Sequence, residues 1–173
     1  MRRVVDAQRV RAFLTALGRR TTTPTTVYLT GGATAVLHGW RSSTIDIDLK
    51  LQPDPDEVYR AIRDLKEELE INVELASPDL FIPVADGWQD RSPWIGSFDA
   101  VEARHYDLVA QALAKLERGH DRDLADVRAM LARGLITPDG LHAAFSRIEP
   151  DLYRFPALDG ATFRQAVERF LTT

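Results

Sequence analysis

The sequence predicts an α+β fold, a mixed sheet with interleaved helices followed by a run of helices, and three observations carry that prediction. Short stretches with strand-like patterning recur at residues 27–29, 44–51, 71–75 and 94–106. Between them lie segments whose apolar residues repeat at helical spacing. From Asp107 onward, helix-start signals follow one another with no further strand pattern. The division falls after residue 106. Residues 1–106 read as an α+β core, and residues 107–173 as a helical part that packs on it as a single compact unit.

Asp6 is placed to cap a helix through Val10, Phe13, Leu14 and Leu17, with Gly18 as its stop. The polar connector TTTPTT leads to Val27, Tyr28 and Leu29, a short buried strand that ends on Gly31 and Gly32. Residues 33–38 fit a short helix facing inward through Ala33, Val36 and Leu37. Strict alternation follows: Ile45, Ile47, Leu49 and Leu51 lie on one side, Thr44, Asp46, Asp48 and Lys50 on the other. Asp54, Pro55 and Glu57 have the spacing of a capping box for a helix with Val58, Ala61, Ile62, Leu65 and Leu69 on one face. In INVEL, Ile71, Val73 and Leu75 point one way, Asn72 and Glu74 the other. Pro78, Pro83, Asp86-Gly87 and Pro93 break up a loop-rich stretch, after which residues 94–98 and 101–106 predict a hairpin turning at Asp99-Ala100. Helix starts are signalled at Asp107, Asp121, Thr137-Pro138 and Asp159, with a stop at Gly134.

Composition excludes several classes of chemistry. The 173 residues contain no cysteine, which removes disulfide frameworks, thiolate metal sites and cysteine nucleophiles, and fits a reducing compartment. No apolar run approaches the roughly 20 residues of a membrane helix. The basic start MRRVVDAQRVRAFL has no long apolar stretch and no small-residue cleavage site behind it, so a cytoplasmic protein without a membrane partner is expected. The net charge of −4 hides an asymmetry, because residues 1–20 hold six arginines against the single Asp6. Such a segment reads as a solvated helix face or as a surface for nucleic-acid phosphates.

Residues i and i+2 of a strand share a face about 7 Å apart, so Asp46 and Asp48 present two carboxylates together. Such a pair either decorates a polar face or holds Mg²⁺, a hard cation that prefers oxygen ligands and keeps room for substrate phosphates. Gly31 and Gly32 form a tight turn or a helix N-terminus that a triphosphate can approach. Arg41, Ser42, Ser43 and Thr44, just ahead of the acids, supply a guanidinium and hydroxyls of the type that bind phosphate. Lys115 and Arg118 lie three residues apart on one helical face, either as ordinary surface charges or reaching phosphates together, and Asp123 and Asp126 are similarly paired on the next helix. His38 and His120 show no zinc-ligand spacing and read as structural. No Gly-x-Ser-x-Gly elbow is present. Trp88 and Trp94 border the loop-rich stretch, either buried or stacking on a base.

Strand, Gly-Gly, short helix and Arg-x-Ser-Thr-x-Asp-Ile-Asp, in that order within residues 27–51, resemble the nucleotidyltransferase superfamily. Residues 112–127, ALAKLERGHDRDLADV, look like the Lys and Arg-x-x-Arg-Asp-x-x-Asp pattern of the AbiEii-like and MenT-like nucleotidyltransferase toxins, read here as Lys115, Arg118, Arg122, Asp123 and Asp126. Gly-Gly in place of the superfamily's common Gly-Ser is a variant seen in that toxin branch. INVELASPDLFIP is similar to a stretch in a neighbouring uncharacterised family. The resemblance implies a polymerase β-like core plus a helical C-terminal part, and a transferase using Mg²⁺ or Mn²⁺ with a nucleoside triphosphate as substrate. Asp46, Asp48 and Glu74 would be the metal carboxylates. The resemblance leads one to expect a third acid on a later strand, where no aspartate is obvious, and Glu74 is the candidate because it lies on the polar face of INVEL. Gly31, Gly32, Arg41, Ser43, Lys115 and Arg118 would bind the nucleotide, and Asp123 would support the site or position the attacking group. The implied acceptor is a tRNA 3′ end or a protein hydroxyl, and the implied partner an antitoxin. The basic N-terminal helix fits an RNA acceptor. The rival readings are a degenerate nucleotidyltransferase fold that binds a nucleotide or partner without chemistry, and a plain interaction module.

Overall fold

The computed structural model describes residues 2–173, and it divides the chain into two compact units, one built from residues up to Ser77 with Ser92–Tyr106 and one from Pro78–Arg91 with Asp107–Thr173.

The first unit holds α1 (Ala7–Arg20), β1 (Thr25–Thr30), α2 (Gly31–His38), β2 (Asp46–Gln52), α3 (Asp56–Glu68), β3 (Asn72–Leu75), β4 (Trp94–Phe98) and β5 (Val101–His105). Its five strands run in the order β3-β2-β1-β5-β4. Antiparallel pairs β1/β2 and β4/β5 combine with parallel pairs β1/β5 and β2/β3, so the sheet is mixed. Directly paired residues project to the same side, and the register therefore sorts the faces. Val27, Leu29, Ile47, Leu49, Leu51, Val73, Val101 and Ala103 form one buried cluster with Val10, Phe13, Leu14 and Leu17 of α1 and Val58, Ala61, Ile62 and Leu65 of α3. Each fully buried Leu, Val or Phe contributes about 1.5–3 kcal/mol by leaving water, which makes this cluster the main adhesive of the unit. The opposite face carries Asp46, Asp48 and Lys50 of β2, Thr30 and Tyr28 of β1, and Asn72 and Glu74 of β3.

Several local expectations are corrected. Gly18 is not a helix stop, because α1 runs on to Arg20. A Cβ at Gly18 would stand 2.0 Å from the carbonyl oxygen of Phe98, so the residue is glycine because the helix presses against the β4 backbone. Ile45 does not join the core but is 65% exposed: Thr44 is bridged to Val5, β2 starts only at Asp46, and residue 45 lies in the bend between. Leu75, at the end of an edge strand, is likewise exposed. Asp54 is not the cap of α3. Pro55 stands at that position, and Glu57 turns away to accept hydrogen bonds from Thr22 N (2.9 Å), Thr22 Oγ1 (2.9 Å) and Thr23 N (2.6 Å), which hold its carboxyl down at about 2.

The basic N-terminal segment is largely balanced within the unit. Arg2 and Arg3 face Glu67 and Glu70 at 4.0 and 2.8 Å, Arg20 pairs with Glu68, and Arg9 donates to the Leu69 carbonyl. Four of its six arginines thus meet the acidic end of α3, which fits the solvated, paired helix face better than an open stripe for phosphates.

The second unit holds α4 (Leu108–Arg118), α5 (Asp121–Ala132), α6 (Pro138–Ile148) and α7 (Gly160–Leu171), with short 3₁₀ turns at Pro78–Leu80 and Glu149–Arg154. Asp107, Thr137 and Asp159 cap α4, α6 and α7 through their side chains as the sequence predicts, and Gly134 takes a left-handed φ of 67° just after α5. Helix α4 packs against α5, α6 and α7, burying Leu113, Leu116, Val127, Met130 and Leu141, and Phe145 meets Phe163 edge-on at 5.0 Å. Arg91 ties its own loop to α4, its Nε 2.8 Å from the buried Asp107 carboxylate and its other nitrogens on the carbonyls of Ala85 and Asp86. No helix among the described residues is long and apolar enough to cross a membrane.

Candidate active site

The centre of the candidate site is the junction of β1, α2 and β2. Thr30, the last residue of β1, lies directly opposite Asp48 in the antiparallel register, so the chain leaves the sheet into α2 beside that carboxylate. Gly31 makes the turn at φ 60°, a conformation that an L side chain resists, and a Cβ there would sit 2.9 Å from Asp48 Oδ2. A Cβ on Gly32 would lie 2.0 Å from Thr44 Oγ1. The glycine pair is therefore demanded twice by the return strand. Its effect is to bring a carboxylate to the first turn of a helix, where the backbone dipole is positive and favours negative charge.

Asp46 and Asp48 share the polar face of β2 at alternate, half-buried positions, with Ile47 and Leu49 buried between and beyond them. Across the parallel register, Asp46 faces Asn72 and Asp48 faces Glu74. Asn72 Nδ2 donates to Asp46 Oδ1 at 2.6 Å and to Glu74 Oε1 at 2.8 Å, and Arg2 donates to Asn72 Oδ1. Glu74 is thus beside the aspartate pair but bound toward Asn72. Among the described residues no group of three or more His, Asp or Glu side chains is arranged to hold a metal ion. What is present is a two-carboxylate, all-oxygen donor set. It fits a divalent cation that keeps water and substrate oxygens in the rest of its shell, the habit of Mg²⁺. Arg41 and Ser43 lie in the return from α2 to β2, after the left-handed cap Gly39.

Behind α2, on the apolar side of the sheet, His105 pairs with Leu29 in register and approaches Thr34 Oγ1 through Nδ1 at 3.0 Å. The His38 ring lies 4.4 Å away and is stacked on Trp40. Burial, with lesser contributions from His38 and Arg11, drives the His105 pKa down to about 3, so it is neutral and structural at physiological pH.

The second sequence motif lies in the helical unit, where Lys115, Arg118, Asp123 and Asp126 pair with one another. Lys115 is buried, with Nζ 2.7 Å from Asp126 Oδ2 and 3.6 Å from Asp123 Oδ1. Arg118 forks onto Asp123 through Nε and Nη2 at 2.8 and 2.5 Å. Burial alone pushes the Asp123 carboxyl up, but the Arg118 hydrogen bonds and charge, helped by Lys115, outweigh it and leave it below the usual range. The four residues therefore bind α4 to α5. Sequence spacing pairs the two cations with each other and the two acids with each other, whereas in the fold the cations meet the acids.

Asn72 and Thr30 are the polar residues of the junction to which the sequence pattern assigned no function of their own. For Asn72 a signal was available, since it alternates with Glu74 on the polar side of INVEL.

A family model described as nucleotidyltransferase of unknown function (DUF6036) matches residues 8–154. No curated protein and no solved structure is significantly similar to the chain.

Proposed function

The chain belongs to that nucleotidyltransferase family, with an α+β fold to match, and from this premise we propose that it moves a nucleoside monophosphate from a nucleoside triphosphate to an acceptor hydroxyl, with Mg²⁺ as cofactor. The acceptor in this reading is a tRNA 3′ end or a protein hydroxyl, and the protein is the toxin of a toxin–antitoxin pair acting in the cytoplasm.

One observation carries the proposal: Asp46 and Asp48 side by side on the polar face of β2, with the backbone of Gly31 fitted against the Asp48 carboxylate. A divalent cation held by Asp46 and Asp48, with Glu74 as a further candidate ligand, would neutralise triphosphate charge and lower the pKa of the acceptor hydroxyl. The amides of Gly31 and Gly32, with Arg41 and Ser43, are assigned to the nucleotide's phosphates. The acceptor oxygen attacks the α-phosphorus in line, the bond to the bridging oxygen breaks, and pyrophosphate departs. Most of the acceleration in such a site comes from orientation and charge stabilisation. Lys115 and Arg118 are assigned to phosphate and Asp123 to supporting or positioning the attacking group. Each would have to do so while engaged with its partners in the α4–α5 cluster.

That engagement, with the lack of a three-acid cluster among the described residues, favours a second reading: a fold of this family that binds a nucleotide or partner without transferring anything. Incubation with Mg²⁺, each α-labelled nucleoside triphosphate and total tRNA or cell protein separates the two. Transfer by the native chain that disappears in both Asp46→Ala and Asp48→Ala supports the enzyme. Nucleotide binding with no transfer under any condition supports the second reading.

A further inference from the structure

We infer that Asn72 is a positioning residue for the Asp46 carboxylate, an inference that rests on the cation-binding reading of Asp46 and Asp48. An amide nitrogen carries two hydrogens, and Asn72 uses one on Asp46 Oδ1 (2.6 Å) and the other on Glu74 Oε1 (2.8 Å). Its carbonyl oxygen accepts from the Arg2 guanidinium. The opposite amide orientation would set a carbonyl oxygen against two carboxylates and an NH₂ group against a cation, so only one orientation satisfies all three neighbours. Asn72 is held in turn by the backbone, because it occupies the β3 position in register with Asp46.

The consequence falls on Asp46. With Oδ1 tied down, the carboxylate has a defined plane, and its Oδ2 accepts no hydrogen bond from the described residues. One oxygen is thus oriented and left for an outside electrophile. The choice of an amide matters. An arginine or lysine at residue 72 would also satisfy Asp46, but would place a positive charge in contact with the carboxylate and oppose a divalent cation. Asparagine orients the carboxylate and leaves its full negative charge. Arg2 stabilises the arrangement from one side chain further away, which gives part of the basic N-terminal segment a task at the site without contact to a substrate.

Mn²⁺ binding, followed by electron paramagnetic resonance of the free ion with and without a non-hydrolysable nucleoside triphosphate, tests the inference on the full chain. Asn72→Ala and Asn72→Leu both delete the donors, and the second keeps the side-chain volume should the first fail to fold. Removal of groups that orient metal ligands commonly weakens metal binding by about 10–100-fold, and about tenfold weaker Mn²⁺ binding is expected here, with the thermal midpoint of the metal-free protein little changed. Asp46→Ala is expected to lose more. Equal affinity in the native chain and a folded Asn72 variant overturns the inference and leaves the function untouched. Failure of the native chain to bind Mn²⁺ with or without nucleotide overturns both.

Discussion

Replacing Lys115 by methionine keeps the length and apolar stem of the side chain and deletes only its charge. Lys115 is 6% exposed and Asp126 2%, and they meet at 2.7 Å. Two carboxylates converge on this ammonium, those of Asp126 and Asp123, and Asp123 is also held by the guanidinium of Arg118. Breaking a buried pair from one side destabilises proteins by about 3–5 kcal/mol, because the remaining charge stays out of water without its counterion. Against a typical total stability of about 5–15 kcal/mol, that is about a fifth or more of what keeps a domain folded. In urea, with a slope of about 2 kcal/mol per M for a chain of this size, the unfolding midpoint followed by circular dichroism should fall by on the order of 2 M. Adding Asp126→Leu removes the buried carboxylate that lost its ammonium and should recover most of the loss. A loss below about 1 kcal/mol, or a double variant no better than the single one, would refute the reasoning and mean that water reaches the pair. The same numbers govern activity assays: a Lys115 variant that transfers nothing argues for a phosphate contact only if it is folded under the assay conditions.

Three further outcomes follow from the geometry. Gly32→Ala, whose new Cβ would overlap Thr44 Oγ1 at 2.0 Å, should destabilise by about 1–3 kcal/mol, and Thr44→Gly should relieve part of that in thermal melts of the double variant. Gly18→Ala should be at least as damaging, because the atom met at 2.0 Å is the Phe98 backbone carbonyl and cannot rotate away. His105 ionises near 3 in the folded chain and near 6.5 when unfolded, so the unfolded state takes up the proton first and stability falls as the pH drops from about 6.5 toward 3. The loss should be about 2 kcal/mol by pH 5, read from urea midpoints, and His105→Gln should flatten that limb if the assignment is right.

Local signals were legible wherever the physics is local. Asp6, Asp107, Thr137 and Asp159 accept hydrogen bonds from amides two or three residues on, so each helix start could be read from a few letters. The β4–β5 hairpin and the alternation of β2 were legible for the same reason. Gly18 was misread because its demand comes from Phe98, and Glu57 because Thr22 and Thr23 outcompete its own helix for the carboxylate. At the site, the sequence pattern predicts that Asp46 and Asp48 share a face, and they do. It could not say whether Lys115 and Arg118 meet phosphates or carboxylates, since three-residue spacing suits both. Nor could it assign Asn72 a partner, because alternation reveals which way a side chain points and not which strand lies alongside.

Residues 78–91 follow β3 yet belong with α4–α7, and only afterwards do β4 and β5 return to the sheet. Because β5 pairs with the central strand β1, the sheet stays incomplete until the ribosome has released residue 105, by which time a piece of the helical unit has already emerged and must wait for its partners. A cut after Tyr106 would keep all five strands but strip Arg91 of Asp107 and strand its loop. The two units are interlaced along the chain. No single proteolytic or genetic break yields one without a fragment of the other, and dissecting the protein calls for point substitutions rather than truncation.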